Sequence, residues 1–343
     1  MPVDQPIKLS VCIPTYNKAA FIGETLESIL SQTNGSIEVV VVDGASTDGT
    51  PEVVASYQKR FSNLIYHRGA QNMGVDRDMA TAVELARGEY CWLMSSDDLI
   101  KPGAISKILK EIQSGAEIYL CDVTLCRPDM QSIRDTKFLS DHRSSNQFDL
   151  TDREQFLTYL NLATSNNALF CYMSSIVFRR LSWVNAEYNE RFSGTCYAHV
   201  FKLFSFIKER CLVKYIPSAL VLNRPDNDSF AGHGIEKRYM LDFDGYLMLA
   251  NELFGCDPQI KRAFLQVITR EHRWYRLVKL RSAIQSSEAW KDVSAKLLVF
   301  GYSRRALAIC GFFGRFKALV DTAVFLNKRF ADVFFVRWLR VRL

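Results

Sequence analysis

Ile37 to Val42 reads IEVVVV, a run in which every residue but Glu38 is β-branched. Crowding at Cβ makes such a run a poor helix, and a continuous apolar stretch suits a strand covered on both faces. A strand of that kind belongs inside a parallel sheet sandwiched by helices. Lys8 to Pro14 (KLSVCIP) is a short apolar strand stopped by proline, Asn63 to His67 is a third strand, and Cys91-Trp92-Leu93-Met94 ends a fourth. Between them Phe21, Ile22, Leu26, Ile29 and Leu30 recur at helical spacing, Thr50 caps a second helix with Pro51 at its first position, and Met79 to Ala86 forms a third. The order β-α-β-α-β-α-β predicts an α/β fold with a parallel sheet and right-handed crossovers.

Three of these strands run into polar clusters at their carboxyl ends: Thr15-Tyr16-Asn17, Asp43 to Asp48, and Ser95-Ser96-Asp97-Asp98. Open α/β sheets bind ligands at that edge. Two neighbouring carboxylates repel and are costly to bury unless a cation or donors compensate them. Paired hard oxygens suit Mg²⁺ or Mn²⁺ holding a diphosphate, although Ser-Ser-Asp-Asp is also good turn chemistry. Arg77 and Asp78, just after the Asn72-Met73-Gly74 turn, either face the same crevice or form a solvated helix start.

In order and spacing, LSVCIPTYN, VVDGASTDGT, the Asn72-Met73-Gly74 turn and WLMSSDD resemble the nucleotide-sugar-binding half of family 2 glycosyltransferases with the GT-A fold. The likeness runs from Lys8 to Ile105, and NMGVDRDMATAVELARGEYCWLMSSDD is similar to abequosyltransferase-like glycosyltransferases of O-antigen synthesis. The resemblance implies a GT-A, Rossmann-like sheet domain over residues 1-234 and a helical, basic-aromatic C-terminal region over 235-343. It implies Pro14, Thr15 and Tyr16 around the base and ribose, and Asp43 accepting from one of them. It also implies Asp97 and Asp98 at a DxD-type metal site, with Ser96 beside them on the donor and Asp98 in the catalytic group. Two departures stand out. Gly44 replaces a second Asp carried by many members, and Ser95 stands at the first position of an Asp-x-Asp-Asp pattern, leaving Asp97 as the direct ligand. The family's Glu-Asp pair, whose Asp is the general base, is missing from the stretch Gly194 to His199. His199 stands nearby, and a neutral imidazole can take a hydroxyl proton at cellular pH. Arg224 and His233 are candidates to meet the diphosphate, in a stretch that equally suits an ordinary surface loop.

Further along, Ala104 to Ile112 reads as a helix, Glu117 to Leu125 as a strand, Cys126 to Thr151 as an irregular loop, Asp152 to Leu162 as a helix, and Ala168 to Phe178 and Leu212 to Leu222 as strands. Gly301 to Leu343 holds nine Lys or Arg against two acids, a larger excess than the +6 of the whole chain. Phe312, Phe313, Phe316, Phe325, Phe330, Phe334, Phe335 and Trp338 interleave with those bases, which suits the face of an anionic membrane or a packed helical pair with solvated arginines. No nucleic-acid recognition motif accompanies the charge, so no nucleic-acid partner is expected. Nine scattered cysteines without a CxxC pair point to reduced thiols, and neither a signal peptide nor a membrane span is expected.

The expected protein is a cytoplasmic enzyme, peripheral on the inner face of the bacterial plasma membrane. It moves a sugar from a nucleotide-sugar donor to a saccharide acceptor, polyprenyl-diphosphate-linked, in surface polysaccharide synthesis, with a divalent cation (Mg²⁺ or Mn²⁺). The alternatives are a nucleotidyltransferase, which would need a glycine- and base-rich phosphate loop that LSVCIPTYN does not supply, and a non-catalytic sugar-nucleotide or membrane-surface binding protein.

Overall fold

The computed structural model describes residues 6–33, 35–140, 146–225, 234–284 and 286–316, and Thr322. Strands β1 (Leu9–Thr15), β2 (Ile37–Asp43), β3 (Leu64–Arg68) and β4 (Tyr90–Leu93) lie parallel in the order β3-β2-β1-β4. Helices α1 (Ile22–Leu30), α2 (Thr50–Gln58) and α3 (Val75–Leu85) make the crossovers. Every residue of β1 and β2 is buried, Glu38 included. That charge survives inside the sheet because its carboxylate accepts from Ser10 Oγ at 2.6 Å and from Arg87 N and Nε at 2.5 and 2.8 Å. Thr50 is the first residue of the second helix rather than its cap: Gly49 takes the N-cap position, Asp48 Oδ1 before it accepts from Thr50 N at 3.0 Å, and Thr50 Oγ1 accepts from Lys18 N.

The sheet continues through β5 (Leu99–Ile100), α4 (Ala104–Glu111), β6 (Ile118–Cys126), β7 (Ser132–Thr136), β8 (Gln147–Asp149), α5 (Arg153–Leu162), β9 (Ile176–Arg179), α6 (Arg180–Asn185), α7 (Ala198–Ser205) and β10 (Leu212–Asn223). Its full order is β3-β2-β1-β4-β9-β6-β10-β5, with β7 on β6 and β8 on β10. The sheet is not all parallel as expected: β9 is wedged antiparallel between β4 and β6. The strand expected from Ala168 shrinks to those four residues. Asn166–Leu169 and Met173–Ser175 are 3₁₀ turns, and Phe170 between them takes a left-handed φ of 62°, which no strand accommodates. The stretch expected to be irregular carries β7 and β8.

From Ile235 onward the described residues are helical: α8 (Ile235–Phe254), α9 (Pro258–Glu271), α10 (Trp274–Ala283), α11 (Ser287–Val299) and α12 (Arg304–Phe313). These helices extend the core of the sheet. Phe204 of α7 meets Phe254 of α8 and Phe264 of α9 with ring centroids 5.8 and 5.5 Å apart. Gly245 of α8 is where the backbone must come close, because a Cβ there would lie 2.3 Å from a ring carbon of Tyr197. The Tyr197 hydroxyl donates to Asp242 Oδ1 at 2.5 Å, and Arg238 Nη1 shares that oxygen. Among the described residues no helix is long and apolar enough to cross a membrane.

Candidate active site

A crevice of about 620 Å³ opens at the carboxyl ends of β1 and β4, walled by the start of α3, the Cys171–Met173 turn, the start of α7 and the end of β10. Pro14, Thr15, Tyr16, Ser96, Asp97, Asp98, His199 and Arg224 all line it, so most of the candidate residues converge. Asp43 and Arg77 do not line it. Asp43 is fully buried, one oxygen accepting from Ser46 N at 2.8 Å and the other from the Tyr66 hydroxyl at 2.6 Å. Arg77 turns outward, donating to Glu190 Oε1 at 2.6 Å and stacking on the Tyr188 ring. His233, with Asp226 and Asp228 of the same loop, and residues 317–343 apart from Thr322 lie outside the described residues.

The first turn of α3 explains that outcome. Successive helical side chains diverge by about 100°, so Asp76, Arg77 and Asp78 point three ways. Asp76 Oδ2 accepts from Cys196 N at 3.0 Å. Burial raises the pKa of Asp76, and the backbone N–H groups of Gly194 to Ala198 pull it back. Asp76 thereby holds the entry to α7, and with it His199. Acids in a first helical turn ordinarily read as complements to the helix dipole, which hides this role in the sequence. Asp78 faces the crevice instead.

Asp97 and Asp98 are neighbours with opposite duties. Asp98 turns inward and collects donors: Tyr172 OH at 2.5 Å, Ser174 Oγ at 2.6 Å, Arg224 N at 3.0 Å and Asn223 Nδ2 at 3.5 Å. Burial, then the Asp97 charge, raises Asp98 to about 6 against the pull of the Ser174 and Tyr172 hydroxyls. Asp97 faces Lys18, whose Nζ donates to Oδ2 at 3.0 Å, and takes a short hydrogen bond from Ser95 Oγ. Among the described residues no three His, Cys, Asp or Glu gather as a ready-made metal cage. Magnesium commonly needs only one or two carboxylates when substrate phosphates complete its shell. The chemistry of Asp97 fits that kind of site, whereas Asp98 is committed to four donors. Arg224 is anchored in the wall: its Nη2 pairs with Glu24, its Nε donates to Asp97 O at 2.9 Å, and its guanidinium stacks on Phe21.

His199 is buried in the crevice wall, and neither ring nitrogen makes a well-formed hydrogen bond. Burial lowers its pKa to about 4, opposed by the backbone of Cys171 and Phe170, so the imidazole is neutral at cellular pH. The backbone around the site is strained. Among the described residues five non-glycine residues have positive φ; Cys196 lines the crevice, Asn17 and Phe170 are next in the chain to residues that line it, and the φ of these three lie between 51° and 68°. Such outliers persist where surrounding contacts over-determine them, and they gather at functional sites.

The pattern of the family described as "Glycosyl transferase family 2" matches residues 10–181. The abequosyltransferase RfbV of Salmonella typhimurium is 33% identical over 331 residues, which span 93% of this chain and 97% of that protein. Glycosyltransferase GlyG of Streptococcus pneumoniae is 29% identical over 31% of this chain and 35% of its own length. Among solved structures, S. aureus TarS 1-349 in complex with UDP-GlcNAc superposes with a TM-score of 0.63 at 15% identity, covering 94% of this chain and 92% of that one. The mannosyltransferase PcManGT from Pyrobaculum calidifontis, in complex with GDP-Man and Mn²⁺, gives 0.54 at 16% identity over 94% and 87%. These two likenesses establish the shared fold.

Proposed function

This chain belongs to glycosyl transferase family 2, and from that premise we propose that it transfers a sugar from a nucleoside-diphosphate donor to a lipid-linked saccharide during bacterial O-antigen or related surface polysaccharide synthesis. That it is a glycosyltransferase follows from the family. The observation that carries the finer reading is the crevice itself, which joins Pro14, Thr15, Tyr16 and Lys18 at the end of β1 to Asp97 beyond the end of β4. Similarity to an abequosyltransferase along nearly the whole length supports abequose or a related deoxyhexose as the group moved.

The residues divide the work as follows. Lys18 brings a positive charge to the leaving diphosphate, and a divalent cation held by Asp97 would add to it. Asp98 fixes Tyr172, Ser174, the Asn223 side chain and the Arg224 backbone N–H, which keeps the crevice shaped. His199 takes the proton of the acceptor hydroxyl at a ring nitrogen. Its low pKa opposes that step by roughly 3 kcal/mol, and the negative diphosphate brought by the donor offsets the cost by favouring imidazolium. The membrane reading rests on the end of α12 and the residues after it, where Phe312, about half exposed, packs on the similarly exposed Phe313 and Phe316, with the exposed Arg315 between them in the chain. An apolar face beside bases suits an anionic bilayer surface.

Nucleoside diphosphate release from UDP-, CDP-, GDP- and dTDP-sugars, with and without a saccharide-lipid acceptor and Mn²⁺, tests the activity. Acceptor-dependent release is expected with one donor, and none with any donor would refute the assignment. His199→Ala should lower kcat while donor Kd stays put. Full-length protein should sediment with anionic vesicles at low salt and not with neutral ones. Phe312→Ser with Phe313→Ser and Phe316→Ser should abolish that binding with the fold intact.

A further inference from the structure

The ring that is transferred has its place fixed by two neighbours. Its diphosphate goes to Lys18 and Asp97, and the hydroxyl that attacks it is served by His199, so the ring lies between them. The turn from Cys171 to Ser174 spans that interval. The backbone of Cys171 approaches His199, while Tyr172 and Ser174 donate to Asp98, next to Asp97. The turn is fixed on its far side: Phe170 before it is fully buried with a φ of 62°, and Ser174 O accepts from Trp92 Nε1 at 2.8 Å.

What the turn offers a ligand is apolar. The Tyr172 hydroxyl donates to Asp98 and accepts from Asn223 Nδ2 at 2.8 Å, and Ser174 Oγ donates to Asp98 and accepts from Ser95 N at 2.9 Å. Cys171 Sγ donates to Asn167 Oδ1 at 3.5 Å, and burial pushes its pKa up to about 12, so it stays a thiol. The lining that remains here is Cys171 and Met173, with Val75 and Met79 from α3 and Cys196 at the entry to α7. Thiols and thioethers are soft, apolar and weak hydrogen-bonding groups. Asp78 also lines the crevice from α3, but it stands toward the end of β2, where a Cβ on Gly44 would lie 2.7 Å from its Oδ2. A sugar hydroxyl pressed against the sulfur-bearing wall would lose its water and gain no partner. The substituent that projects furthest from a hexopyranose ring is the one at C6, a hydroxymethyl in hexoses and a methyl in 6-deoxyhexoses. We propose that Cys171 and Met173, with Met79, seat that methyl and select a 6-deoxyhexose over a hexose. This rests on the donor reading given above and deepens it by naming the side chains that choose the sugar.

The test is calorimetric titration of donor pairs that differ only at C6 into the full chain. The pairs are GDP-mannose with GDP-D-rhamnose, and the CDP, UDP and dTDP derivatives of glucose with those of 6-deoxyglucose. In the pair bound tightest, the deoxy donor should bind about tenfold or more tighter than its partner, the cost of a hydroxyl buried without a hydrogen bond. Met173→Gln offers that hydroxyl both a donor and an acceptor and should shrink the gap to about threefold or less. Met173→Leu keeps the wall apolar and should keep the gap. Cys171→Ser, which trades the thiol for a hydroxyl, is the second variant and should narrow the gap in the same sense. Three results would overturn the proposal: hexose and deoxyhexose bound equally, a full gap in both Met173→Gln and Cys171→Ser, or a gap lost equally in Met173→Leu, which would assign Met173 to packing alone. Donors bound without discrimination between their sugars overturn only this proposal. Absence of binding by every donor would overturn the donor reading and this proposal with it. A melting curve for each protein confirms that the variants are folded.

Discussion

Two pairs of carboxyls stand at the crevice or just behind its wall, Asp43 behind Asp78 at the end of β2 and Asp98 with Asp97 at the end of β4. Each pair has one member turned inward and saturated with donors. Asp43 holds Tyr66 and Ser46, and Asp98 holds Tyr172, Ser174, Asn223 and the Arg224 amide. The outward members differ. Asp97 has an ammonium 3.0 Å away, while Asp78 has no partner among the described residues. A carboxylate already matched to a cation is suited to handling charge in transit. A carboxyl left without donors is unstable in the empty protein and gains most when a ligand arrives. The sequence DD or GxxxD says nothing of this; the counter-groups do.

The largest effect that would separate the two pairs is on turnover. Asp97→Asn should cut sugar transfer by on the order of 10²-fold or more in a folded protein, because it weakens the hold on the charges that balance the leaving group. Full activity in that variant would dissolve the distinction at the β4 end. Next is stability at the inward partner. Asp98→Ala strands the Tyr172 and Ser174 hydroxyls and the Arg224 N–H in the interior and should cost about 3 kcal/mol, read from urea unfolding. An unchanged midpoint would mean that those donors find water or each other.

Asp78→Asn should do the reverse. Unfolded Asp titrates near 3.8 and Asp78 near 6 in the folded chain, so the unfolded chain releases its proton first as pH rises. Stability is therefore lost between about pH 4 and pH 6 and stays lower above that window. Removing the charge should return about 1–2 kcal/mol at pH 7.5. Thermal unfolding of both proteins at pH 4.5 and 7.5 checks it, since the gap must widen with pH. The smallest effect is at Asp43: Tyr66→Phe removes one of its two donors and should cost about 1 kcal/mol, with nucleotide affinity nearly kept. A large loss of affinity there would put Asp43 back in contact with the ligand.

The frame of the sheet was legible because IEVVVV and KLSVCIP have few other ways to be buried, and the polar clusters after them fell at the strand ends as expected. The site was legible as a place more than as a set of roles. Ser-Ser-Asp-Asp marks the β4 end, yet nothing local says that Asp98 turns toward Tyr172, a residue 74 positions later in the chain. Asp76, Arg77 and Asp78 read as a single charged helix start, and only the packing of α3 against the entry to α7 gives them three functions. The missing Glu-Asp pair was visible, but the burial that leaves His199 neutral depends on α7 lying in the wall. Phe170 shows the limit most clearly. Its neighbours have strand chemistry, and a single left-handed residue, fixed by tertiary contacts, ends the strand before it starts.

Gly245 has a bearing on how such enzymes can diverge. The Tyr197 ring rests on the bare backbone of α8 and its hydroxyl reaches Asp242 one turn earlier, so the loop that delivers His199 is keyed to a particular helix. Exchange of the C-terminal helices between relatives, an obvious route to new acceptors, therefore requires the incoming helix to bring both the glycine and the acid at this spacing. A chimera lacking either would carry an intact donor pocket beside a misplaced imidazole. Lineages that recombine at this junction should be confined to those sharing the same lock, whatever the rest of their helices recognise.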